Sequence, residues 1–346
     1  MAYTDIDDPS AYFQTTLYTG TGSSLTVTNG GNSDLQPDLV WLKSRGITEG
    51  HFWTDSVRGV QKTIRSYRTN AEETESQGLT AFNSDGFTIG TNSDINTNTD
   101  LNVAWQWKAG DTNTSVSASG SGNGAYNACT HRANTTAGFS IIKYTGLNSE
   151  ISNGQHTRVT HGLGVKPDFL IIKDRDGSSN WVVTRGIDND NHKVLNTTAA
   201  ESGSLFTGDQ RSNTSTYFHV GNEGAVNANG NEFIAYCFAE KQGYSKFGSY
   251  AGNSTDNDDN FQYCGFSPAW VMIKCTSATE SWVIFDTKRN GFNPDNDELY
   301  ADGTGAETST EAVDFLSNGF NPYKGTGTVN RSGKSYIFMA FAESPF

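Results

Sequence analysis

The chain has few cations and no long apolar run. It carries 24 Lys and Arg against 38 Asp and Glu, a net charge of −14 at pH 7 and a pI of about 4.8. This balance argues against general affinity for nucleic acid or anionic membranes, because phosphate contacts need Lys and Arg. The longest apolar run, residues 336–342, is too short to span a bilayer. We therefore expect neither a nucleic-acid partner nor membrane insertion.

Motifs for catalysis and cofactor binding are also missing. The sequence contains no G-x-S-x-G, G-x-G-x-x-G, Walker A or H-E-x-x-H pattern and no C-x-x-C pair. We predict a protein that is not an enzyme, with no catalytic, cofactor-binding or metal residues and no cofactor. The six histidines are scattered, and we expect them at surface or turn positions: His51, His131, His156, His161, His192 and His219.

The cysteines number only four, at positions 129, 237, 264 and 275. We expect buried free thiols. Cys264 and Cys275 could still bridge a hairpin, and the sequence leaves that pairing open. The first eight residues have neither a basic region nor an apolar core, so we expect no export signal.

Aromatic residues stand out against the scarcity of other hydrophobic ones. Only 34% of residues are hydrophobic, yet 12% are Phe, Tyr or Trp. Disordered chains have few aromatics, so this composition favours many short strands whose rings form the core. Helical patterns are scarce, with short candidates only at residues 55–65 and 310–316.

One phrase occurs three times along the chain. It has a Pro, a small or acidic residue, four apolar residues and a Lys, at 37–43, 167–173 and 268–274. Proline is tolerated at the first position of a strand. The unbroken apolar run indicates a strand covered on both faces.

Other phrases accompany each copy of this strand. A Tyr-x-Gly phrase opens each unit at 18–20, 144–146 and 250–252, and a closing phrase begins at Val103, Ile234 and Ile337. The separation from Pro to the closing phrase is 66, 67 and 69 residues. The near-constant separation of these phrases indicates internal repeats.

An Asp and an Arg also recur at matching positions, as Asp55 and Arg58 in the first unit and as Asp286 and Arg289 in the third. We expect each Asp to pair with its Arg or to cap a turn. The second unit departs from this pattern, since it has Arg185 at the position of the Asp.

These phrases divide the chain into three tandem, diverged units. We predict an all-β fold of sandwich or jelly-roll-like units with long polar loops. The proposed division is a tail at 1–10, β units at 11–110, 138–243 and 244–346, and a Ser/Gly/Asn-rich linker at 111–137.

Clustered oxygen atoms leave two alternatives open. The acidic stretches 5–8, 256–260 and 293–298 favour solvated turns, with structural calcium as the alternative. Glu240 and Glu343 recur at one repeat position, which favours an architectural role over a glycosidase carboxylate pair. The loop rings Tyr67, Tyr126 and Tyr323 are the candidates for an exposed sugar-stacking surface.

The ordered phrases resemble a family of repeat-containing, tail-fibre-like virion proteins of marine tailed phages, including cyanophages. The phrases are PDLVWLKSR, FNSDGFTIG, VAWQWKAG, RANTTAGFSIIKYTG, THGLGVKPDFLIIKDRD, FIAYCFAEKQGYSKFGSYAGN, FSPAWVMIKC and YIFMAFAESPF. The resemblance covers residues 11–346 and carries no catalytic residues. It implies a virion location, release by lysis, other virion proteins as partners, and a homo-oligomer in which a trimer is favoured.

Three functions follow from this resemblance and the composition. The first is a tail fibre or appendage that contacts a host surface glycan or protein. The alternative is a capsid decoration or head-fibre protein. A polysaccharide depolymerase is the third, and it would need a cleft with two carboxylates.

Overall fold

A computed structural model describes residues 4, 6–148, 152, 155–185, 191–203, 213–254, 259–322 and 327–344. Strands dominate, and the helices of the described chain are single turns. The all-β fold with β-sandwich-like units is therefore confirmed.

The first unit contains nine strands. They are β1 (Phe13–Thr19), β2 (Leu25–Val27), β3 (Leu39–Ser44), β4 (Phe52–Asp55), β5 (Lys62–Thr63), β6 (Glu73–Thr74), β7 (Leu79–Phe82), β8 (Phe87–Ile89) and β9 (Leu101–Trp107). The larger sheet has the order β1-β9-β3-β4, the smaller one β2-β8-β7, and β5 pairs with β6.

The second unit includes part of the expected linker. Its strands are β10 (Thr114–Val116), β11 (Cys129–Asn134), β12 (Phe139–Thr145), β13 (Thr157–Thr160), β14 (Phe169–Asp174), β15 (Val182–Arg185), β16 (Lys193–Val194), β17 (Tyr217–Val220) and β18 (Glu232–Phe238). The larger sheet has the order β10-β11-β12-β18-β14-β15-β16, and β13 pairs with β17.

The third unit repeats this order. Its strands are β19 (Ser245–Ala251), β20 (Gln262–Tyr263), β21 (Trp270–Cys275), β22 (Trp282–Asp286), β23 (Leu299–Tyr300), β24 (Val313–Leu316), β25 (Gly319–Pro322) and β26 (Ser335–Phe341). The sheets are β19-β26-β21-β22-β23 and β20-β25-β24. In all three larger sheets the closing strand lies between the opening strand and the Pro strand, and every pairing is antiparallel.

Two sequence expectations, the linker and the N-terminal tail, need correction. Residues 111–137 are not merely a linker, since β10 and β11 add two strands to the second sheet. Polar residues suffice there because backbone hydrogen bonds hold both strands, β10 at the edge of the sheet and β11 between β10 and β12. The expected tail at 1–10 is anchored, since Ile6 is buried in the core and Pro9–Ala11 form a 3-10 turn capped by Asp8.

The two helix candidates are wrong. After β4 the Asp55 side chain caps a short turn at residues 56–58, and Gly59, with φ of 97°, ends it in the left-handed region. Residues 62–63 then form β5, and Ile64 bridges back to Trp53. Residues 313–316 form β24, which pairs with β25 as a hairpin. The described α-helices are α1 (Ser93–Asn96) and α2 (Gly224–Asn227), and neither is long enough to cross a membrane.

The three larger sheets pack against one another around a common core. This shared core takes side chains from all three Pro strands and all three closing strands. Ring contacts join each pair of units, with centroid distances of 6.4 Å for Trp41–Trp270, 5.1 Å for Trp53–Tyr236 and 5.8 Å for Phe238–Phe341. The opposite face of each larger sheet packs on the same unit's smaller sheet in a separate outer core. The Pro strands are therefore covered on both faces, as predicted.

The contacts between units follow a cyclic pattern. In each unit one aromatic ring, always at the same repeat position, donates a hydrogen bond from its ring nitrogen to a backbone carbonyl of a neighbouring unit. The carbonyl belongs to β16, to β23 or, in the first unit, to the matching residue Arg65. The three bonds are His51 Nε2 to Tyr300 O at 2.9 Å, Trp181 Nε1 to Arg65 O at 3.0 Å and Trp282 Nε1 to Val194 O at 2.9 Å. First unit contacts third, second contacts first and third contacts second, which is a pseudo-threefold arrangement within one chain.

Two of these interfaces contain the same buried ionic network. Asp286 pairs with Arg289 at 2.7 Å and accepts a hydrogen bond from Trp105 Nε1 of the first unit at 2.9 Å. Glu307 joins Arg289 to Arg45, also of the first unit. Between the second and first units the matching residues are Asp55, Arg58, Tyr236, Glu72 and Arg175. The expected Asp–Arg pairing is confirmed at both places.

Among the residues that the structure describes, the third interface lacks this network. Arg185 replaces the aspartate and donates to Gly248 O at 3.2 Å, and Met339 occupies the position of the Trp105 and Tyr236 donors. The aspartate that would accept the hydrogen bond and the aromatic residue that would donate it are thus both replaced, so the replacement of one does not leave the other buried without its partner. A short connection, residues 239–244, joins the second and third units covalently at this interface.

The Tyr-x-Gly phrase has a structural explanation. Each tyrosine hydroxyl donates to a buried carbonyl: Tyr18 to Ile95, Tyr144 to Val226 and Tyr250 to Val329. A Cβ on any of the three glycines would collide with backbone atoms, among them the carbonyl oxygens of Thr97, Ala228 and Arg331. Only glycine allows this approach of two backbone segments.

The lysine that ends each Pro strand is buried. Lys43, Lys173 and Lys274 are fully covered, and their ammonium groups donate to backbone carbonyls. Burial lowers the pKa of each to about 8, because desolvation disfavours the charged form. The folded chain therefore binds fewer protons than the unfolded chain between pH 8 and the ordinary lysine pKa of 10.5.

Replacing Lys43 by methionine is expected to stabilise the protein at pH 7 by about 1–3 kcal/mol, because the variant buries no ammonium group. Wild-type stability should rise with pH above 8, since the unfolded state binds more protons there, and the variant should lose one lysine's share of that rise. Urea titrations at several pH values between 7 and 9.5 measure the difference. Lys246→Met, at a half-exposed pair with Glu240, is the control and should leave the slope unchanged. A variant less stable than wild type at pH 7 would contradict the prediction.

Candidate functional site

Positions that repeat in all three units are used for architecture. The repeated aromatic and lysine positions are buried, and all seven tryptophans lie in the core. In the Tyr-x-Gly phrases Tyr144 and Tyr250 are buried, and Tyr18 is half-buried against the outer core. A recognition surface must therefore use positions at which the units differ. Two kinds of position meet this condition, namely the outward faces of the smaller sheets and the connection after the Asp–Arg turn.

The smaller sheets align by their pairing register. Val27 faces Phe87, Val159 faces Phe218 and Gln262 faces Phe320, so the preceding residues are equivalent. Those residues point outward because successive side chains alternate across a strand. They are Thr26 in the first unit, Arg158 in the second and Phe261 in the third.

The exposed aromatic rings of the described chain are concentrated in the third unit. Phe261 is 39% exposed, Tyr263 65% and Phe292 76%. Elsewhere in the described chain the large exposed hydrophobic side chains are aliphatic: Leu17, Val60, Leu101 and Val165. Exposed rings commonly mark contact surfaces, because they give a large apolar area with little entropy to lose.

Phe292 belongs to a connection that is longer in the third unit. Residues 287–298 connect β22 to β23. In sequence length this exceeds residues 186–192, between β15 and β16, and residues 56–63, between β4 and Ile64, which bridges to Trp53. The longer connection forms a cleft of about 220 Å³, which we call the loop cleft. Its lining residues are Ser267, Thr287, Gly291, Phe292, Asn293, Asp295 and Phe315.

Asp295 supplies the buried polar group of the loop cleft. It is 1% exposed, its backbone pairs with Val313, and its Oδ1 accepts from Asp297 N at 3.3 Å. Its Oδ2 has no hydrogen-bond partner. Burial raises the Asp295 pKa to about 8, against the opposing effect of Arg289. A carboxyl that is largely protonated at pH 7 can donate a hydrogen bond to a ligand oxygen beside the exposed ring of Phe292.

A second cleft of about 320 Å³ adjoins the loop cleft and shares Ser267 and Thr287 with it. Glu343 lines it, pairs with Lys288 at 3.1 Å and has one buried oxygen without a partner. Burial raises the Glu343 pKa. Its repeat counterpart Glu240 is instead a half-exposed partner of Lys246. Two incompletely paired carboxyls therefore line adjoining clefts, whereas the depolymerase alternative requires two carboxylates in one cleft.

The histidines are less exposed than a surface position implies, although the His161 ring does serve a turn by accepting from Leu163 N at 3.1 Å. His51, His131, His161, His192 and His219 are buried, and His156 is half-buried. His51 shows the reason: its ring occupies the position of Trp181 and Trp282 and makes the same inter-unit hydrogen bond. Burial lowers its pKa well below the usual value, so the ring is neutral. The described residues contain no group of three or more potential metal ligands.

The remaining candidates divide into three groups. Tyr67 and Tyr126 are half-buried, and Tyr323 lies outside the described residues. The acidic stretches 5–8 and 256–260 lie partly outside them too. All four cysteines are buried and free, as predicted, and Cys264 is not bridged to Cys275. Burial raises the thiol pKa of Cys129 to about 11 and that of Cys264 to about 12, which makes both unreactive at neutral pH.

Sequence reasoning missed the central residues of the loop cleft. Residues 293–298 were expected to form a solvated turn or a calcium loop, whereas Asp295 and Glu298 are buried. Glu298 accepts hydrogen bonds from Thr308, Thr310 and Glu311 and so closes the connection. The available signal was the greater length of this connection in one unit alone.

Fold and site together define a β-sandwich-like protein with a shared aromatic core and a surface cleft beside an exposed ring. A family model described as a domain of unknown function, DUF7483, matches residues 8–345, and the chain belongs to this family. No curated protein and no solved structure matches the chain.

Proposed function

We propose that the protein is a structural component of a phage virion, a tail fibre or appendage whose third unit contacts the host surface. One observation carries the proposal: the repeated positions are buried or, at Tyr18, half-buried, whereas the exposed aromatic rings are at positions where the third unit differs from the others. The resemblance to tail-fibre-like virion proteins supports the location. The expected partners are other virion proteins and a host glycan or protein.

The closed arrangement of the sheets bears on the expected trimer. The inward faces that could form the centre of a trimer are already packed within one chain. A homo-oligomer would therefore have to use outer surfaces. A self-contained body also suits the alternative of a capsid decoration or head-fibre protein, which needs a folded head and not an intertwined shaft.

Replacing Tyr263 and Phe292 by alanine together is expected to weaken binding to host cells by about tenfold, because exposed aromatic anchors carry much of the energy of a contact. Flow cytometry with fluorescently labelled protein over a concentration series measures the affinity. Leu101→Ala is the matched control, since it removes a half-exposed apolar side chain from the first unit. Unchanged binding by the double variant, or an equal loss in the control, would overturn the assignment to the third unit.

Location separates the two structural proposals. Gold-labelled antibodies against the protein should mark the tail of intact particles in electron micrographs. A label confined to the head would favour the decoration role, and particles without the protein would overturn both.

Absence of enzymatic activity is part of the proposal. Host polysaccharide incubated with the protein should release no new reducing ends. Release that is abolished by Asp295→Asn would establish the depolymerase alternative at the loop cleft.

A further inference from the structure

A second polar surface lies on the outer face of the β13–β17 pair. Arg158 stands directly opposite His219 in the register. His156 comes two residues before Arg158, just ahead of β13, and Tyr217 comes two residues before His219. These four side chains share one face, because alternate residues in a strand point the same way. The intervening Val159 and Phe218 point inward and are buried in the outer core of the second unit.

Arg158 has no partner for its charge. Its Nε atom lacks a hydrogen-bond partner, and it is the one arginine among the described residues with neither an ion pair nor a side-chain hydrogen bond. This is unusual in a chain with 38 acidic residues. A half-buried guanidinium normally pairs with a carboxylate, sulfate or phosphate, so this one can still bind such an anion.

Two tyrosines hold this guanidinium in place. The Arg158 Cζ atom is 4.9 Å from the ring centre of Tyr217 and 5.4 Å from that of Tyr126. The two rings meet edge to face at 5.7 Å. Tyr126 comes from the segment 111–137, which forms a bridge with Arg158. Cation–π contacts orient the guanidinium without neutralising it, so its N–H groups remain able to bind an anion.

The two histidines add a second reason for an anion at this place. The rings of His156 and His219 lie 3.9 Å apart, and the Nδ1 atom of His156 has no hydrogen-bond partner. Burial and the adjacent Arg158 charge lower the pKa of His156. An oxyanion beside Arg158 would oppose this lowering, because a nearby negative charge favours the protonated ring, whose N–H groups can donate to the anion.

The fold does not require this cluster. At the equivalent positions the first unit has Thr26 and Thr88, joined by a hydrogen bond of 3.1 Å, and the third unit has the exposed Phe261. The same sheet therefore forms in the other two units without an arginine–histidine–tyrosine cluster, so the cluster in the second unit is not needed for folding. Because the chain as a whole is strongly acidic, an anionic ligand would need a local cation such as this one.

We propose that the outer face of β13–β17 binds the oxyanion of an acidic sugar, a carboxylate or a sulfate. Arg158 forms two parallel hydrogen bonds to the oxyanion, and the rings of Tyr126 and Tyr217 pack against the sugar. The site is separate from the loop cleft and does not depend on the virion function proposed above.

Isothermal titration calorimetry of the full chain with glucuronate, glucose 6-sulfate, inorganic sulfate and glucose tests this site. Binding is expected for the two acidic sugars and not for glucose, and the preferred one identifies the carboxylate or the sulfate. Arg158→Gln should weaken the binding by about tenfold, and Arg158→Lys, which keeps the charge but loses the parallel bonds, by less. Arg331→Gln is the control, because Arg331 is exposed and pairs with Glu280.

The outcomes distinguish the parts of the proposal. Failure of wild-type protein to bind either acidic sugar, or equal loss in the Arg331 variant, would overturn it. Equal affinity for inorganic sulfate and glucose 6-sulfate would overturn the sugar assignment, since the tyrosine rings would then contribute nothing. Unchanged thermal unfolding of each variant establishes that a lost signal comes from the site. Host cells and particles are not used, so these results are independent of the test of the third unit.

Discussion

Replacing Trp41 by alanine is expected to lower the free energy of unfolding by about 3–5 kcal/mol, the range for a large buried aromatic side chain. The Trp41 ring is 1% exposed and lies 4.3 Å from Trp53 and 5.2 Å from Trp105. Its Nε1 donates to His51 Nδ1 at 2.7 Å, so the variant also leaves that buried ring nitrogen without its donor.

The same variant tests whether the three units fold together. Because one core is shared by all three larger sheets, denaturation followed by tryptophan fluorescence and by circular dichroism should give one coincident transition at a lower midpoint. Leu101→Ala, at a half-exposed position, should change the midpoint little. Separate transitions, with only one shifted, would mean that the units are independent domains.

Asp286→Ala is expected to cost a similar amount, about 3–5 kcal/mol, because it leaves a buried arginine without its counter-charge. Asp286 is fully buried, pairs with Arg289, and accepts hydrogen bonds from the backbone of Lys288 and Arg289 and from Trp105. Its loss removes a turn cap and an inter-unit bond at once. Chemical denaturation at pH 7 measures the change.

Two further variants separate these contributions. Asp286→Asn keeps an acceptor for the turn but not the charge, so its effect should lie between those of wild type and the alanine variant. Glu240→Ala breaks a half-exposed pair with Lys246 and should change stability by less than about 1 kcal/mol. A small effect of Asp286→Ala would mean that the inter-unit network does not hold the first and third units together.

The network also explains a difference between the repeats that looked arbitrary in the sequence. The replacement of aspartate by Arg185 in the second unit coincides with Met339 at the donor position of the third unit. Their equivalents, such as Asp286 and Trp105, are far apart in sequence and meet only across an interface. The sequence of one repeat cannot predict this pairing, because the partner of each residue belongs to another unit.

The loop cleft and the Arg158 cluster were beyond sequence reasoning for a related reason. Tyr126, His156 and Tyr217 are separated by long stretches of chain and are brought together by the pairing of β13 with β17 and by the bridge from the segment 111–137. The Ser/Gly-rich composition of the segment 111–137 predicted a linker, because composition indicates how much side-chain area a segment can bury but not whether its backbone pairs with a neighbouring strand. Asp295 is buried by a connection whose path depends on its pairing with Val313.

The sequence by itself determined the all-β class, the apolar strands covered on both faces, the aromatic core, the free cysteines and the Asp–Arg turns. These features follow from local patterns, since alternation, proline placement and residue spacing act within one strand or turn. Tertiary structure alone decided that the three larger sheets share one core and are joined cyclically. It also decided which polar residues are buried and which rings stay exposed. The physical reason is that those features depend on partners distant in sequence, whose contacts exist only when the sheets have packed.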